Sequence, residues 1–398
     1  MNTLQEETMR QRHFFILVSI VMISGLSQGL LLPLISVIFE QSGVHSSLSG
    51  IHATAMYIGV LIVSPFLERP LRRYGFKRFI MIGGAIVIVS LAMFPMSSSL
   101  SFWFVLRLLI GIGDHILHFG SQTWITYASP IHRRGRNISL YGLSFGVGFM
   151  IGPLLVPLVH MHEALPFIVS SLLSLCGWIL LFFLPHTYPQ TGETEKIGTV
   201  RFFHAWKQAW PALLLPFGYG FLEASLHSMF PVYALRHGLN IETVAMILPA
   251  FALGGIAFQL PLGTLSDRFS RKTIIVVSLT IGAICFMIAQ WLTSPVQLTT
   301  TFFIAGMFVG SLFSLGMAYM TDLLPKSLLP VGNILCGMLY SVGSICGPAI
   351  GGVVLQHQDQ LFFISVSCLL LLLLFAQRPF TKFSKYFSKK NEKNIDAF

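Results

Sequence analysis

Twelve runs of apolar residues, each near the length of a membrane span and parted by short polar breaks, dominate this chain of 398 residues. A helix rising 1.5 Å per residue needs roughly 20 apolar residues to cross about 30 Å of hydrocarbon. Runs of that length fall at 14–38, 46–68, 77–97, 101–125, 138–160, 164–185, 208–234, 241–263, 273–293, 297–320, 330–355 and 361–377. The shortest break, Ser97 to Ser101, divides the third from the fourth. Only 10% of the residues are charged and 54% are hydrophobic, whereas a soluble domain carries about a quarter charged residues to face water. Most of this surface must therefore face lipid, where the backbone has to satisfy its own hydrogen bonds and helices are predicted throughout.

The net charge of +10 raises the possibility of an acidic partner, but the placement of the bases points elsewhere. With alternating spans and both termini on one side, all but two of the 25 Lys and Arg fall on that side. The exceptions are Arg107, inside a span, and Arg236. The positive-inside rule then puts both termini in the cytoplasm of a cell-membrane, multi-pass protein, and nucleic acid drops out as a partner. The five cysteines lie in apolar stretches without metal or redox spacing and read as small buried apolar residues. Met1 to His13 is polar and runs into a full-length span, which reads as a retained first span.

One polar connection, residues 186–207, is long enough to act as a cytoplasmic linker, and it separates a six-helix bundle over 1–185 from another over 208–377. A basic cytoplasmic tail follows over 378–398. The halves repeat. Gly152-Pro153 recurs as Gly347-Pro348, and the same offset of 195 carries Arg73 to Arg268, Lys77 to Lys272, Pro130 to Pro325, Gly142 to Gly337 and Gly148 to Gly343. Matches at one offset across two loops and a helix mean duplication, and parallel repeats of this kind place a site near the midplane between them.

Three stretches carry a family resemblance. Gly263-Thr-Leu-Ser-Asp267-Arg268-Phe-Ser-Arg271-Lys272 follows the second span of its half as a charged hairpin. Its first-half counterpart keeps Arg73, Gly75 and Lys77 but has Arg72 at the acid position, so Glu68 with Arg72, four residues apart, is either a substitute pair or a solvated loop pair. Arg107-Leu-Leu-Ile-Gly111-Ile-Gly113 lies in the fourth span. Gly148, Gly152 and Pro153 in the fifth span, with Gly343, Gly347 and Pro348 in the eleventh, place small residues four apart beside a helix-bending proline, a pattern that also serves plain tight packing. Together they resemble the major facilitator superfamily over essentially the whole chain, and the Gly-Pro stretches resemble its drug–proton antiporter branches. The resemblance implies an all-α integral membrane fold of twelve helices in two pseudo-symmetric six-helix bundles. It also implies gating roles for the hairpin residues and export as the direction of transport.

Ionisable groups inside spans are costly and mark function by default. Arg107, Gly111, Asp114, His118 and Gln122 recur at helical spacing as one polar stripe, which either looks into a cavity or staples helices through an Arg107–Asp114 pair. Glu223 sits mid-span in the seventh run with His227 one turn on. A carboxyl at that depth can bind and release a proton as its access to water changes, or hold a cationic substrate, or serve packing alone. Gln28, Trp124, Tyr219 and Tyr319 are candidates to line the cavity, and Asp322 ends the tenth span as a gate or cap. His115 and His118 beside Asp114 lack the further ligands a metal would need, so no metal site is expected.

The expected function is a secondary active transporter, a monomer without cofactor, exporting small organic molecules or drugs against protons by alternating access. A dedicated carrier of one metabolite or a metal-chelating solute is the alternative. A polytopic membrane enzyme built on Asp114, His115 and His118 would have no use for two equivalent halves, so no enzyme is expected.

Overall fold

A computed structural model describes residues 2–129, 133–189 and 199–377 of the chain. Pro130, the middle of the expected linker and the expected tail over 378–398 lie outside the described residues. Among the described residues there is no strand. The first six spans are α1 (Asn2–Gln41), α2 (Ser46–Val63), α3 (Glu68–Met93), α4 (Leu100–Ala128), α5 (Arg134–Ile151) and α6 (Leu165–Leu180). The rest are α7 (Thr199–Arg236), α8 (Ile241–Arg268), α9 (Arg271–Ala289), the paired α10 (Pro295–Val309) and α11 (Leu312–Leu323), α12 (Leu329–His357) and α13 (Phe362–Ala376).

Eleven segments among the described residues are long and apolar enough to cross a membrane, with α10 and α11 together forming one of them. The twelfth, α7, is 38 residues long and diluted by polar groups that include Glu223 and His227. It begins at Thr199, so residues expected in the linker up to 207 are already its first turns. The fifth span continues beyond Pro153 as a 3-10 segment, Gly152–His160, where two prolines remove the donors an α-helix would use. Ser97 to Ser99 do part the third span from the fourth.

The duplication is also a duplication of packing. A Cβ on Gly148 of α5 would strike the carbonyl oxygen of Met22 on α1, and one on Gly343 of α12 would strike that of Phe217 on α7. Met22 and Phe217 are themselves 195 residues apart. Gly111 against Met56 and Gly306 against Phe251 repeat the relation between α4 and α2 and between α10 and α8. Lipid tails are as apolar as the side chains, so close backbone approach, not water exclusion, must bring such helices together. Three of the four buried apolar clusters draw on one half only. The fourth, around Leu30 to Phe39 and Trp103, reaches across to Ala224 and Ile241.

The halves meet at the face that carries the α1–α2 turn. There Arg236 donates Nε to Glu40 Oε1 at 2.7 Å and Nη2 to Oε2 at 3.1 Å, and its Nη1 reaches the Leu355 carbonyl at 2.7 Å. The Ser46 amide donates to Gln356 Oε1 at 3.0 Å, His160 lies 3.1 Å from Glu242, and Gly50 lets the backbone of α2 rest on Pro348 and Gly352. Toward the opposite face, where the α4–α5 and α11–α12 connections lie, a Cβ on Gly135, Gly142 or Gly337 would meet nothing within 4 Å. The described polar ties between the halves gather at the face of the α1–α2 turn.

Candidate functional site

Two polar clusters lie at mid-depth, one in each half. In the second half both oxygens of Glu223 are taken by tyrosines. Tyr340 of α12 donates to Oε2 at 2.6 Å and Tyr219, one turn earlier on α7, donates to Oε1 at 3.0 Å. Their rings lie 6.1 Å apart in a stacked arrangement, and Phe313 of α11 closes the group edge-on at 5.7 Å from Tyr340. The result is a carboxyl set in an aromatic box, a chemistry suited to organic cations. Tyr57 of α2 lies within electrostatic reach of Glu223 and of Arg107.

In the first half, Ser24 of α1 donates to Asp114 Oδ1 at 2.6 Å. The same hydroxyl lies 3.1 Å from His118 Nε2, and His118 Nδ1 lies 2.7 Å from the Tyr141 hydroxyl on α5. Gln28 comes close to Asp114 from α1, while Asp114 Oδ2 has no hydrogen-bond partner among the described residues. That carboxyl borders a pocket inside the first half, lined also by Ser24, Gly84, Ser174 and Trp178.

The clusters occupy equivalent places. The 195-residue offset carries Ser24 to Tyr219, Gln28 to Glu223, His118 to Phe313 and Phe145 to Tyr340. One architecture thus holds a hydrogen-bonded serine and histidine in one copy and an aromatic carboxyl box in the other.

The remaining expected residues divide. Arg107 does not pair with Asp114, since its Nη1 lies 3.4 Å from His52 Nδ1 on α2. The His52 Nε2–H donates to the Leu100 carbonyl at 3.0 Å, which leaves Nδ1 free to accept. Gln122, the last residue of the stripe, is exposed. His227 turns its Nδ1–H onto the Glu223 carbonyl of its own helix at 2.9 Å and rests its ring 4.6 Å from Phe149 of α5. Trp124 is buried in the core, stacked on Phe76 at 5.4 Å, because the face of α4 one turn beyond Gly120 looks into α3. Tyr319 packs beside Met320 and Leu324 and takes no part in the aromatic box.

In the charged hairpin, Asp267 pairs with Arg271 at 2.9 Å, and Arg271 also pairs with Asp322 at the end of α11. This straps the α8–α9 connection to α11, while Arg268 is exposed and Lys272 half-buried. Gly263 has open space around it. In the first half, Gly75 takes a φ of 75° and breaks α3, and the Phe76 amide after it donates to the Thr187 carbonyl at 2.9 Å. Arg73 lies over the Tyr74 ring at 5.5 Å, and Arg72 pairs with Glu68 at 2.6 Å.

Sequence reasoning missed Ser24, Tyr141 and Tyr340, the partners of the two carboxyls. It gave Lys77 no partner, whereas the side chain is buried and its ammonium donates to the carbonyls of Phe182 and Leu184, both at 2.8 Å. Applying the repeat offset to Gln28 and Phe145 would have pointed to Glu223 and Tyr340 together.

Two helical bundles related by a repeat, with polar groups at mid-depth, are an arrangement that suits a membrane transporter. The model of the Major Facilitator Superfamily matches residues 17–253 and 212–394, and the chain belongs to that superfamily. It is 55% identical over 351 residues to the MFS-type transporter YfkF of Bacillus subtilis, covering 87% of this chain and 90% of that one. It is 24% identical to the MFS-type transporter YcaD of Escherichia coli over 91% of this chain and 95% of that one. Among solved structures, the nucleoside transporter NupG superposes with a TM-score of 0.77 at 15% identity, over 92% of this chain and 98% of that one. A bacterial homolog of the human lysosomal transporter Spinster, in an inward-facing and unoccupied conformation, gives 0.76 at 14% identity, over 94% and 98%. The chain is therefore a membrane-spanning transporter of small molecules and not an enzyme.

Proposed function

We propose that the chain is a proton-coupled exporter of small organic cations. It sits in the cell membrane with both termini in the cytoplasm and works as a monomer by rocking the bundle of 1–185 against that of 208–377. The observation that carries this reading is the Glu223 box: a buried carboxyl whose oxygens are held by two tyrosine hydroxyls on stacked rings. With the termini inside, the Glu40–Arg236 face lies outside and its ties hold that side closed, so that solute enters from the cytoplasm. Coupling requires proton and substrate to favour different arrangements of the halves, since a ligand shifts an equilibrium only by its difference in affinity.

The test uses everted membrane vesicles holding an inward proton gradient read by a pH-sensitive dye, with tetraphenylphosphonium as probe. Dissipation that requires this protein and is lost in Glu223→Gln supports the reading. Indifference to tetraphenylphosphonium and to ethidium, with a polar metabolite dissipating the gradient instead, would replace the drug exporter with a dedicated carrier.

A further inference from the structure

The two clusters are at equivalent positions but differ in what they can do. The Asp114 cluster has a hydrogen-bond order that follows from its acceptors. With Asp114 ionised, the single Ser24 proton points to Asp114 Oδ1 at 2.6 Å, so the Ser24 oxygen accepts from His118 Nε2–H at 3.1 Å. His118 Nδ1 is then the unprotonated nitrogen and accepts from Tyr141 O–H at 2.7 Å. Tyr141 has a second acceptor in the His118 carbonyl, 3.2 Å away, to which its hydrogen can swing. The chain is continuous from a half-buried imidazole to a buried carboxyl, and every member sits on a different turn or helix.

We propose that Asp114 is the proton-binding carboxyl of the transport cycle and that His118 and Ser24 are the path by which the proton reaches it, with Glu223 left to the substrate; this rests on the proton-coupled reading above. A proton taken up at His118 Nδ1 is balanced by the one leaving Nε2 for the Ser24 oxygen, whose own proton passes to Asp114 Oδ1. Asp114 ends neutral, His118 ends neutral in the other tautomer, and Tyr141 turns from donating to Nδ1 to donating to the His118 carbonyl. Reversal discharges Asp114 along the same bonds.

The surroundings suit this role. From the elements packed against Asp114, α1 offers Ser24 and Gln28, α3 offers Gly84, α6 offers Ser174 and Trp178, and α5 brings Tyr141 within electrostatic reach. On its own helix, Arg107 bonds His52 and His115 lies 2.9 Å from Ser64 Oγ, leaving His118 as the base within reach. No fixed cation neutralises Asp114 among the described residues, so the carboxyl depends on a proton for compensation. Glu223, by contrast, has both oxygens held by phenols, and its pseudo-symmetric partners Tyr219 and Phe313 replace the serine and histidine a relay would need.

The test needs no substrate. Infrared spectra of the purified full chain in lipid nanodiscs are followed through a pH titration and after a rapid pH jump. The expected result is a carboxylic carbonyl band that titrates, disappears in Asp114→Asn and persists in Glu223→Gln. In Ser24→Ala the band remains but its response to the jump slows by about tenfold or more, and Ser24→Thr, which keeps the hydroxyl, restores the rate. A titrating band lost in Glu223→Gln and untouched in Asp114→Asn overturns the assignment while leaving proton coupling intact. An Asp114 band that responds equally fast in Ser24→Ala overturns the path. A chain without a titrating carboxyl band, in vesicles where a proton gradient drives nothing, loses the proton-coupled reading itself.

Discussion

Two oxygens of one carboxyl and two phenols set the character of the second-half cluster. The bond from Tyr340 is shorter than that from Tyr219, 2.6 Å against 3.0 Å, and it joins α12 to α7 whereas the other stays within α7. A hydrogen bond to a charged acceptor contributes about 1.5–3 kcal/mol. Tyr340→Phe is therefore expected to lower the melting temperature of the purified protein more than Tyr219→Phe, as read by tryptophan fluorescence on heating; equal losses would show that the inter-helix bond carries no extra weight. Lys77 presents a sharper case. Its buried ammonium holds two carbonyls just beyond α6, so Lys77→Met leaves both without their donor and should cost about 3 kcal/mol, while its exposed neighbour Arg78→Met should change little. The same heating experiment decides this, with Arg78→Met as its internal reference.

Helices in this chain are held by glycine contacts repeated in both halves. Gly148→Val and Gly343→Val each push a side chain into a carbonyl of the partner helix, and overpacking of that kind costs about 1–3 kcal/mol. Both should lower the yield of monodisperse protein on size exclusion, whereas Gly142→Val, with open space around it in this state, should not. If Gly142→Val proved equally harmful, close approach would not explain the repeated glycines. The existence of the spans was legible because a bilayer imposes length and apolarity on each of them, and the repeat because the same backbone contacts recur. Facing was not legible. Trp124 looks like a cavity residue as sequence and lies in a packed core, because a helix shows several faces to neighbours and composition does not say which one is the lumen. Ser24 and Tyr340 escaped notice for the complementary reason: a serine or tyrosine in an apolar span is unremarkable until a helix far away in the chain brings it a carboxyl. The seventh span was placed late at its start because Lys and His in its first turns read as linker, although tertiary contacts with α11 and α12 sustain them as helix.

Between the halves, the sealed face depends on a small number of polar ties. Glu40 and Arg236 are partly shielded, at 18% and 26% exposure, so the pair is worth more than a fully solvated one yet remains breakable. Glu40→Gln should weaken closure by about 1–1.5 kcal/mol, roughly a tenfold shift in the ratio of sealed to unsealed molecules. Spin labels placed at Gly43 and Asp359, one on each half at that face, would report a second, longer distance in Glu40→Gln; an unchanged distribution would locate the seal in the Gly50–Pro348 backbone contact instead. The two mid-depth clusters share no side chain although they occupy matching positions in the repeat. None of the hydrogen bonds between Ser24, Asp114 and His118 runs through a side chain of the box formed by α7, α11 and α12. On the roles proposed above, a lineage carrying this chain could exchange one cargo for another by drift at a few sites while its source of driving force is inherited intact.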